Sequence, residues 1–238
     1  MGILYETEKY LHNWALSYAF FKGNYIPHPY RLQGDQAQKP DYLDSNAEQS
    51  LITLNQLEIY VFPAKPITWS YQINTFKKAQ VTYYGKTDKF GEGDAKRNYP
   101  ANIGRAKELA IGSEYYTFLI SSKKLDIPHW IRVGKWSSKV KVQAYLIPEK
   151  AINQLSGQYL CDHPLNPIDL PSSQQLLLYN RIVMPPVSLV SQAQLQGDYW
   201  EIQKQYCEHL PEDFTNFFKQ ICLPIGVNYG AGYIAKAS

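Results

Sequence analysis

Arg132, Lys139 and Lys141 alternate with apolar residues in the stretch Trp130-Ile131-Arg132-Val133-Gly134-Lys135-Trp136-Ser137-Ser138-Lys139-Val140-Lys141-Val142. The chemistry that such a spacing suits is the holding of an anion. Folded as two strands around a turn at Gly134 to Ser138, the segment points Ile131, Val133, Val140 and Val142 one way and Arg132, Lys139 and Lys141 the other. Like charges facing across a strand pair repel, and a polyanion such as a phosphate backbone relieves that repulsion. A solvated strand face whose lysines guard a sheet edge fits the same pattern. The wider charge distribution favours a local polyanion site. The whole chain has 24 Lys+Arg and 21 Asp+Glu, net +3, yet residues 77–141 hold 14 basic and 6 acidic residues, net +8, leaving the rest of the chain at −5.

Residue types suited to bond-making are present but poorly arranged. His12, His28, His129, His163 and His209 form no His-x-x-x-His pair and none stands beside a cysteine ligand set, so neither a metal nor any other cofactor is implied. No Gly-x-x-x-x-Gly-Lys-Ser/Thr loop and no Gly-x-Ser-x-Gly elbow occurs. Gly230-Ala231-Gly232-Tyr233-Ile234-Ala235 imitates a dinucleotide fingerprint, but so little follows it that no helix is expected to open there. Its glycines suit a close approach to another backbone. His12 fits two roles: a general acid or base in a metal-free ribonuclease, or a hydrogen-bonded tie between a helix and its sheet. Cys161, Cys207 and Cys222, odd in number and far apart, imply neither a disulfide framework nor a Cys-x-x-Cys site, and point to a reducing compartment. The 20 tyrosines suit half-buried sheets, interfaces and base stacking alike.

The elements that must position these groups read as mixed α+β. The length of 238 residues suits one large domain, and 45% apolar against 19% charged residues argues against disorder. No apolar run approaches the ~20 residues of a membrane span and no signal-peptide pattern opens the chain, so a soluble cytoplasmic protein is expected. Thr7 caps an expected helix to Phe20 with Leu11, Trp14, Ala15, Tyr18 and Ala19 on one stripe and Gly23 as its stop. Tyr25 to Asn46 reads as a loop, Leu51 to Phe62 as a strand alternating at Leu57, Ile59 and Val61, and Thr68 to Tyr84 as a second strand. A basic, glycine-containing loop follows to Pro100. Strands are expected at Tyr115 to Ser121, Trp130 to Val133, Lys139 to Ile147 and Val187 to Leu195, with a helix near Asp213 to Ile221.

Five collinear segments carry a family resemblance: Tyr5 to Ala19, Asn102 to Ala110, Ile131 to Lys139, His163-Pro164-Leu165-Asn166-Pro167-Ile168-Asp169-Leu170, and Met184-Pro185-Pro186-Val187-Ser188-Leu189-Val190. In this order they resemble the CRISPR-associated Cas-five-type subunit of the type I-D Cascade complex, of the RAMP superfamily. The resemblance implies a modified ferredoxin-like (RNA-recognition-motif-like) RAMP domain with a long β-hairpin thumb and an elaborated C-terminal part. It implies a subunit that grips the 5′ handle of the CRISPR RNA in an antiviral ribonucleoprotein, beside the backbone and large subunits and near the target DNA, while a separate subunit cuts the precursor. Relatives have a first β-strand upstream of the segment matching Tyr5, so that strand is expected to be missing here, either absent or lost to a misplaced start.

The expected organisation is a core over 1–147 with a thumb-like insertion at about 74–105, and a C-terminal elaboration over 148–238 packed on the same domain. The expected function is a non-catalytic RNA-binding subunit with no metal, no cofactor and no membrane contact. Arg132, Lys135, Lys139 and Lys141 are the expected phosphate ligands, with Ser137 beside them and Trp136 as a base stacker; Lys96, Arg97, Tyr99, Arg105 and Lys107 add contacts. Structural roles compete: Trp136 in the core, Tyr99 packed beside Pro100, Arg105 and Lys107 flanking a short helix. The alternative function is a metal-independent endoribonuclease processing precursor CRISPR RNA.

Overall fold

The computed structural model describes residues 3–22, 24–26, 32–33, 36–37, 42–44, 50–77, 103–134, 138–207, 210–211 and 221–234. In chain order these contain β1 (Ile3–Tyr5), α1 (Asn13–Phe21), β2 (Leu32–Gln33), β3 (Gln36–Ala37), α2 (Ile52–Gln56), β4 (Ile59–Val61), β5 (Lys65–Thr68), β6 (Tyr71–Lys77) and β7 (Ile103–Leu109). There follow β8 (Glu114–Tyr116), β9 (Leu119–Ser121), β10 (Trp130–Val133), β11 (Ser138–Lys141), β12 (Ile152–Cys161), β13 (Gln175–Ile182), β14 (Leu189–Ile202), β15 (Ile221–Pro224) and α3 (Ala231–Ile234). Few helices and many antiparallel strands make the chain α+β. The chain divides into two compact units, residues 1–9 with 68–114, and residues 10–67 with 115–238.

The smaller unit is built on a sheet of order β1-β7-β6. β1 runs parallel to β7, with Leu4 opposite Arg105, and β6 runs antiparallel to it, with Ile73 opposite Lys107. The expectation of a missing first strand is thereby corrected. Three residues are too few to display an alternation, so only pairing with β7 reveals the strand. Period two sorts the β6 and β7 side chains: Tyr71, Ile73, Arg105 and Lys107 lie on one face, Gln72, Asn74, Ala106 and Glu108 on the other. On that second face Gln72 and Asn74 both donate to the Glu108 carboxylate, at 3.5 and 2.7 Å.

In the larger unit the first helix starts later than Thr7. The backbone of Leu11 pairs with Ala64 in both directions, an extended arrangement that no helix can share. Thr7 donates to Glu8 instead, and His12 is the N-cap, its ring accepting from the Trp14 N–H. The expected stripe is also displaced: Asn13, Trp14, Leu16, Ser17 and Phe21 are buried, while Ala15 is exposed. Residues 52–56 form a helical turn rather than a strand, and all three residues of β4, including Tyr60, are buried. Within the segment expected to be a loop, β2 and β3 form a two-residue ladder.

α1 is held from below by a buried carboxylate. Asp169 Oδ2 accepts from Asn13 Nδ2 at 2.7 Å, Tyr60 Oη at 3.1 Å and Trp14 Nε1 at 3.3 Å, and its Oδ1 accepts from the Gly230 N–H at 2.9 Å. Asn166 donates to Asn13 Oδ1 at 3.2 Å, and Tyr229 Oη lies 2.6 Å from Ser17 Oγ while accepting from the Val61 N–H. Every member has a partner, so the network fixes positions without leaving a buried polar group bare. A Cβ at Gly232 would sit 3.0 Å from the Ile168 carbonyl, which gives that glycine its reason. α3 does open at residue 231, against expectation, but as a single turn packed on this backbone.

After residue 148 lies a sheet of order β12-β14-β13, with β15 also pairing β14. β14 is 14 residues long, and its Ala193 and Leu195 face the core opposite Cys161 and Tyr159. The expected Val187 to Leu195 strand is the first half of β14. The expected helix near Asp213 falls outside the described residues, apart from Ile221, which starts β15. No helix among the described residues is long and apolar enough to cross a membrane.

Candidate nucleic-acid interface

β10 and β11 pair antiparallel, with Trp130 opposite Lys141, Ile131 opposite Val140, Arg132 opposite Lys139 and Val133 opposite Ser138. The strict alternation of the sequence makes this register the one that buries its aliphatic face. Ile131 is only 5% exposed, and Val133, Val140 and Val142 pack against the same core. A further backbone bond, Val142 N–H to the His129 carbonyl at 2.8 Å, extends the ladder past β11. Gly134 leads out of β10 at φ +77°, a conformation in which a side chain is strained.

Arg132, Lys139 and Lys141 share the outer face and are exposed. Arg132 and Lys139 are direct cross-strand neighbours, two cations where an opposite-charge pair would be stable. The same parity puts Trp130 on this face, 52% exposed, with the Lys139 ammonium 4.4 Å from its ring centroid. Trp130 is the aromatic that the sequence reading passed over in favour of Trp136. The signal was available in the alternation itself, since 130 and 132 share a face. Lys135, Trp136 and Ser137 lie outside the described residues, as do Lys96, Arg97 and Tyr99.

Arg105 and Lys107 are on β7, in the smaller unit, and both point to the face of its sheet that carries Tyr71 and Ile73. They flank no helix. The structure thus brings Arg132, Lys139 and Lys141 together on one hairpin and Arg105 with Lys107 on one strand.

His12 and His163 are held in hydrogen bonds of the fold, and the three thiols are buried in it. His12 Nδ1 accepts from Trp14 N–H and its Nε2 donates to the Val187 carbonyl, each at 3.1 Å, which fixes a neutral ring; burial lowers its pKa to about 4. His163 Nε2 donates to the Pro63 carbonyl at 2.8 Å, among the rings of Phe62, Tyr116 and Phe118, and burial lowers it to about 3. The three thiols are buried and free; burial raises all of them, Cys222 to about 11. They are therefore neutral and poor nucleophiles. Among the described residues no group of three His, Cys, Asp or Glu side chains is placed to hold a metal ion.

No curated protein matches the sequence. A family model described as type I-D CRISPR-associated protein Cas5/Csc1 matches residues 1–232.

Proposed function

The chain belongs to the type I-D CRISPR-associated Cas5/Csc1 family, and from that membership we propose that it is a non-catalytic, RNA-binding subunit of a type I-D Cascade surveillance complex. Its task is to grip the 5′ handle of the CRISPR RNA, beside the backbone and large subunits and near the entry of target DNA, in antiviral defence. The observation that carries this reading is the outer face of the β10–β11 hairpin, where two opposed cations, a third lysine and an exposed tryptophan form a surface suited to phosphates and one base. Lys135, Trp136 and Ser137, which follow β10 in the sequence, and Lys96, Arg97, Tyr99, Arg105 and Lys107 extend the proposed contacts.

The strand order of the smaller unit, with β1 parallel to β7 and β6 antiparallel beside it, supports a ferredoxin-like RAMP core. β6 and β7 pair up to Lys77 and Ile103, so the segment between them leaves and returns at adjacent strand ends, which supports a thumb at about 74–105. The sheet of β12 to β15 lies wholly beyond residue 148, consistent with a C-terminal elaboration over 148–238 on a 1–147 core. The engagement of His12 and His163 in hydrogen bonds of the fold supports the non-catalytic reading over endoribonuclease activity.

The test is the salt dependence of handle-RNA binding. Each phosphate contact on a single strand adds roughly −0.7 to the slope of log K against log salt. Replacing Arg132, Lys139 and Lys141 together by alanine should make that slope shallower by about 2; an unchanged slope places the site elsewhere. Incubation with repeat RNA in a chelator should give binding without cleavage, and cleavage would restore the enzyme.

A further inference from the structure

We propose that the Trp69–Tyr71 face of the smaller unit's sheet is a second binding site for single-stranded RNA, an inference that rests on the RNA-binding reading above and adds the aromatic row of Trp69 and Tyr71, with Lys9, to the Arg105 and Lys107 contacts it already names.

The side chains form an unbroken row. The Lys9 ammonium lies 5.4 Å from the Trp69 ring centroid, Trp69 and Tyr71 meet edge to face at 5.0 Å, and the Lys107 ammonium lies 4.2 Å from the Tyr71 ring. Ile73 continues the row beside Lys107, and Arg105 follows two residues along the same strand, about 6.6 Å away at the rise of a β-strand. Trp69 is 42% exposed and Ile73 67%, large apolar groups that a sheet folding for itself alone would turn inward.

The alternation of ring and cation distinguishes the two kinds of partner. The centre of a protein interface is poor in lysine, whereas single-stranded nucleic acid is held by aromatic faces for bases and cations for the backbone. In the free protein each lysine rests over a ring. A base arriving on that ring takes the lysine's place, and the flexible stem swings the ammonium to the adjoining phosphate, so one exchange supplies a stack and a charge contact. The Tyr71 hydroxyl is pushed up, by burial and then by the carboxylates of Glu8 and Glu6. The carboxylates of Glu8 and Glu6 therefore stand near the Tyr71 hydroxyl, and the backbone of the RNA follows the cations Lys9, Lys107 and Arg105 instead.

The probe is a short oligouridylate carrying 5-iodouridine, photocrosslinked to the full chain and mapped by peptide mass spectrometry, with the DNA oligonucleotide of the same sequence as a second arm. Crosslinks to the peptide containing Trp69 and Tyr71 are expected for RNA. Trp69→Ala should weaken RNA binding about 5- to 100-fold, with Trp69→Phe restoring much of it. Melting curves on both variants separate lost stacking from lost folding. Crosslinks confined to the hairpin peptide would overturn this site and leave the proposed function standing; crosslinks to neither would overturn both. Crosslinking of DNA alone would overturn it, as would a Trp69→Ala protein with unchanged RNA affinity and weakened retention in the native complex, the mark of a protein-binding face.

Discussion

His12, His163 and Asp169 are buried ionisable groups that pull stability in opposite directions as pH changes. The histidines sit near 4 and 3 against 6.5 in the unfolded chain, while Asp169 sits near 6 against 3.8. A depressed histidine contributes stability above its unfolded value and loses it as pH falls; a raised aspartate contributes as the neutral acid and loses it as pH rises through its folded value. Between about pH 4.5 and 6 the unfolded chain binds two more protons on the histidines, and the native chain one more on Asp169. The histidines win by one proton, so stability should climb with pH, by roughly 1 kcal/mol per unit. Urea midpoints across this window check the slope, and Asp169→Asn should steepen it. His12→Ala should cost about 1–2 kcal/mol through the lost cap and leave the RNA affinity of the folded fraction intact, as read by calorimetry and anisotropy. A tie by His12 was one of the two roles suggested by its place in an expected helix; its role as the cap was not legible, because the helix was expected to start at Thr7. Nor was the role of Asp169: its donors come from residues 13, 14, 60 and 230, and such convergence leaves no local period.

The β10–β11 hairpin separates binding from stability because its two faces do different work. Lys139→Glu places opposite charges at the Arg132 pair, so the hairpin should gain about 0.2–1 kcal/mol while RNA binding weakens. Ile131→Ala should do the reverse, costing about 2–5 kcal/mol of stability while the folded fraction binds as before. Thermal melting and filter binding on both variants test the opposition; parallel losses would mean that the faces are not separable. Strong alternation made this element readable: β10 has its expected limits and β11 starts within a residue of its own, but β11 ends at Lys141 rather than at the expected Ile147, where the alternation of charge and apolar residues has stopped. Residues 51–62 misled for the opposite reason. Leu57, Ile59 and Val61 imitate an alternating strand, yet Leu57 is 38% exposed beyond a helical turn and Tyr60 is buried because its hydroxyl reaches Asp169. The start of α1 was misplaced because Thr7 is a good cap by type, and only the pairing of Leu11 with Ala64 shows that the chain is still extended there.

Across the whole molecule the buried apolar residues are unevenly shared. Nearly all of those described lie in the unit of residues 10–67 and 115–238, whereas the β1-β7-β6 sheet contributes Ala106. Amides of β6 and β7 should therefore exchange through openings of lower free energy than those of β14, which hydrogen exchange with mass spectrometry resolves. Equal protection would show the two units opening together. The α+β class was legible from the mixture of periods, but the division into units was not, because the smaller one is assembled from segments 1–9 and 68–114. The buried Tyr229 has a consequence in time. Its hydroxyl meets Ser17 and Val61, its backbone exchanges two hydrogen bonds with the Asn55 side chain, and Gly230 completes the Asp169 shell. The contacts of Tyr229 join residues more than 160 positions apart, so a ribosome must deliver residue 229 before the earliest helix finds its final partners. Until then the nascent chain waits with an open core. A chain stalled after residue 225 should remain protease-sensitive at α1 on the ribosome, and one stalled well beyond residue 230 should not.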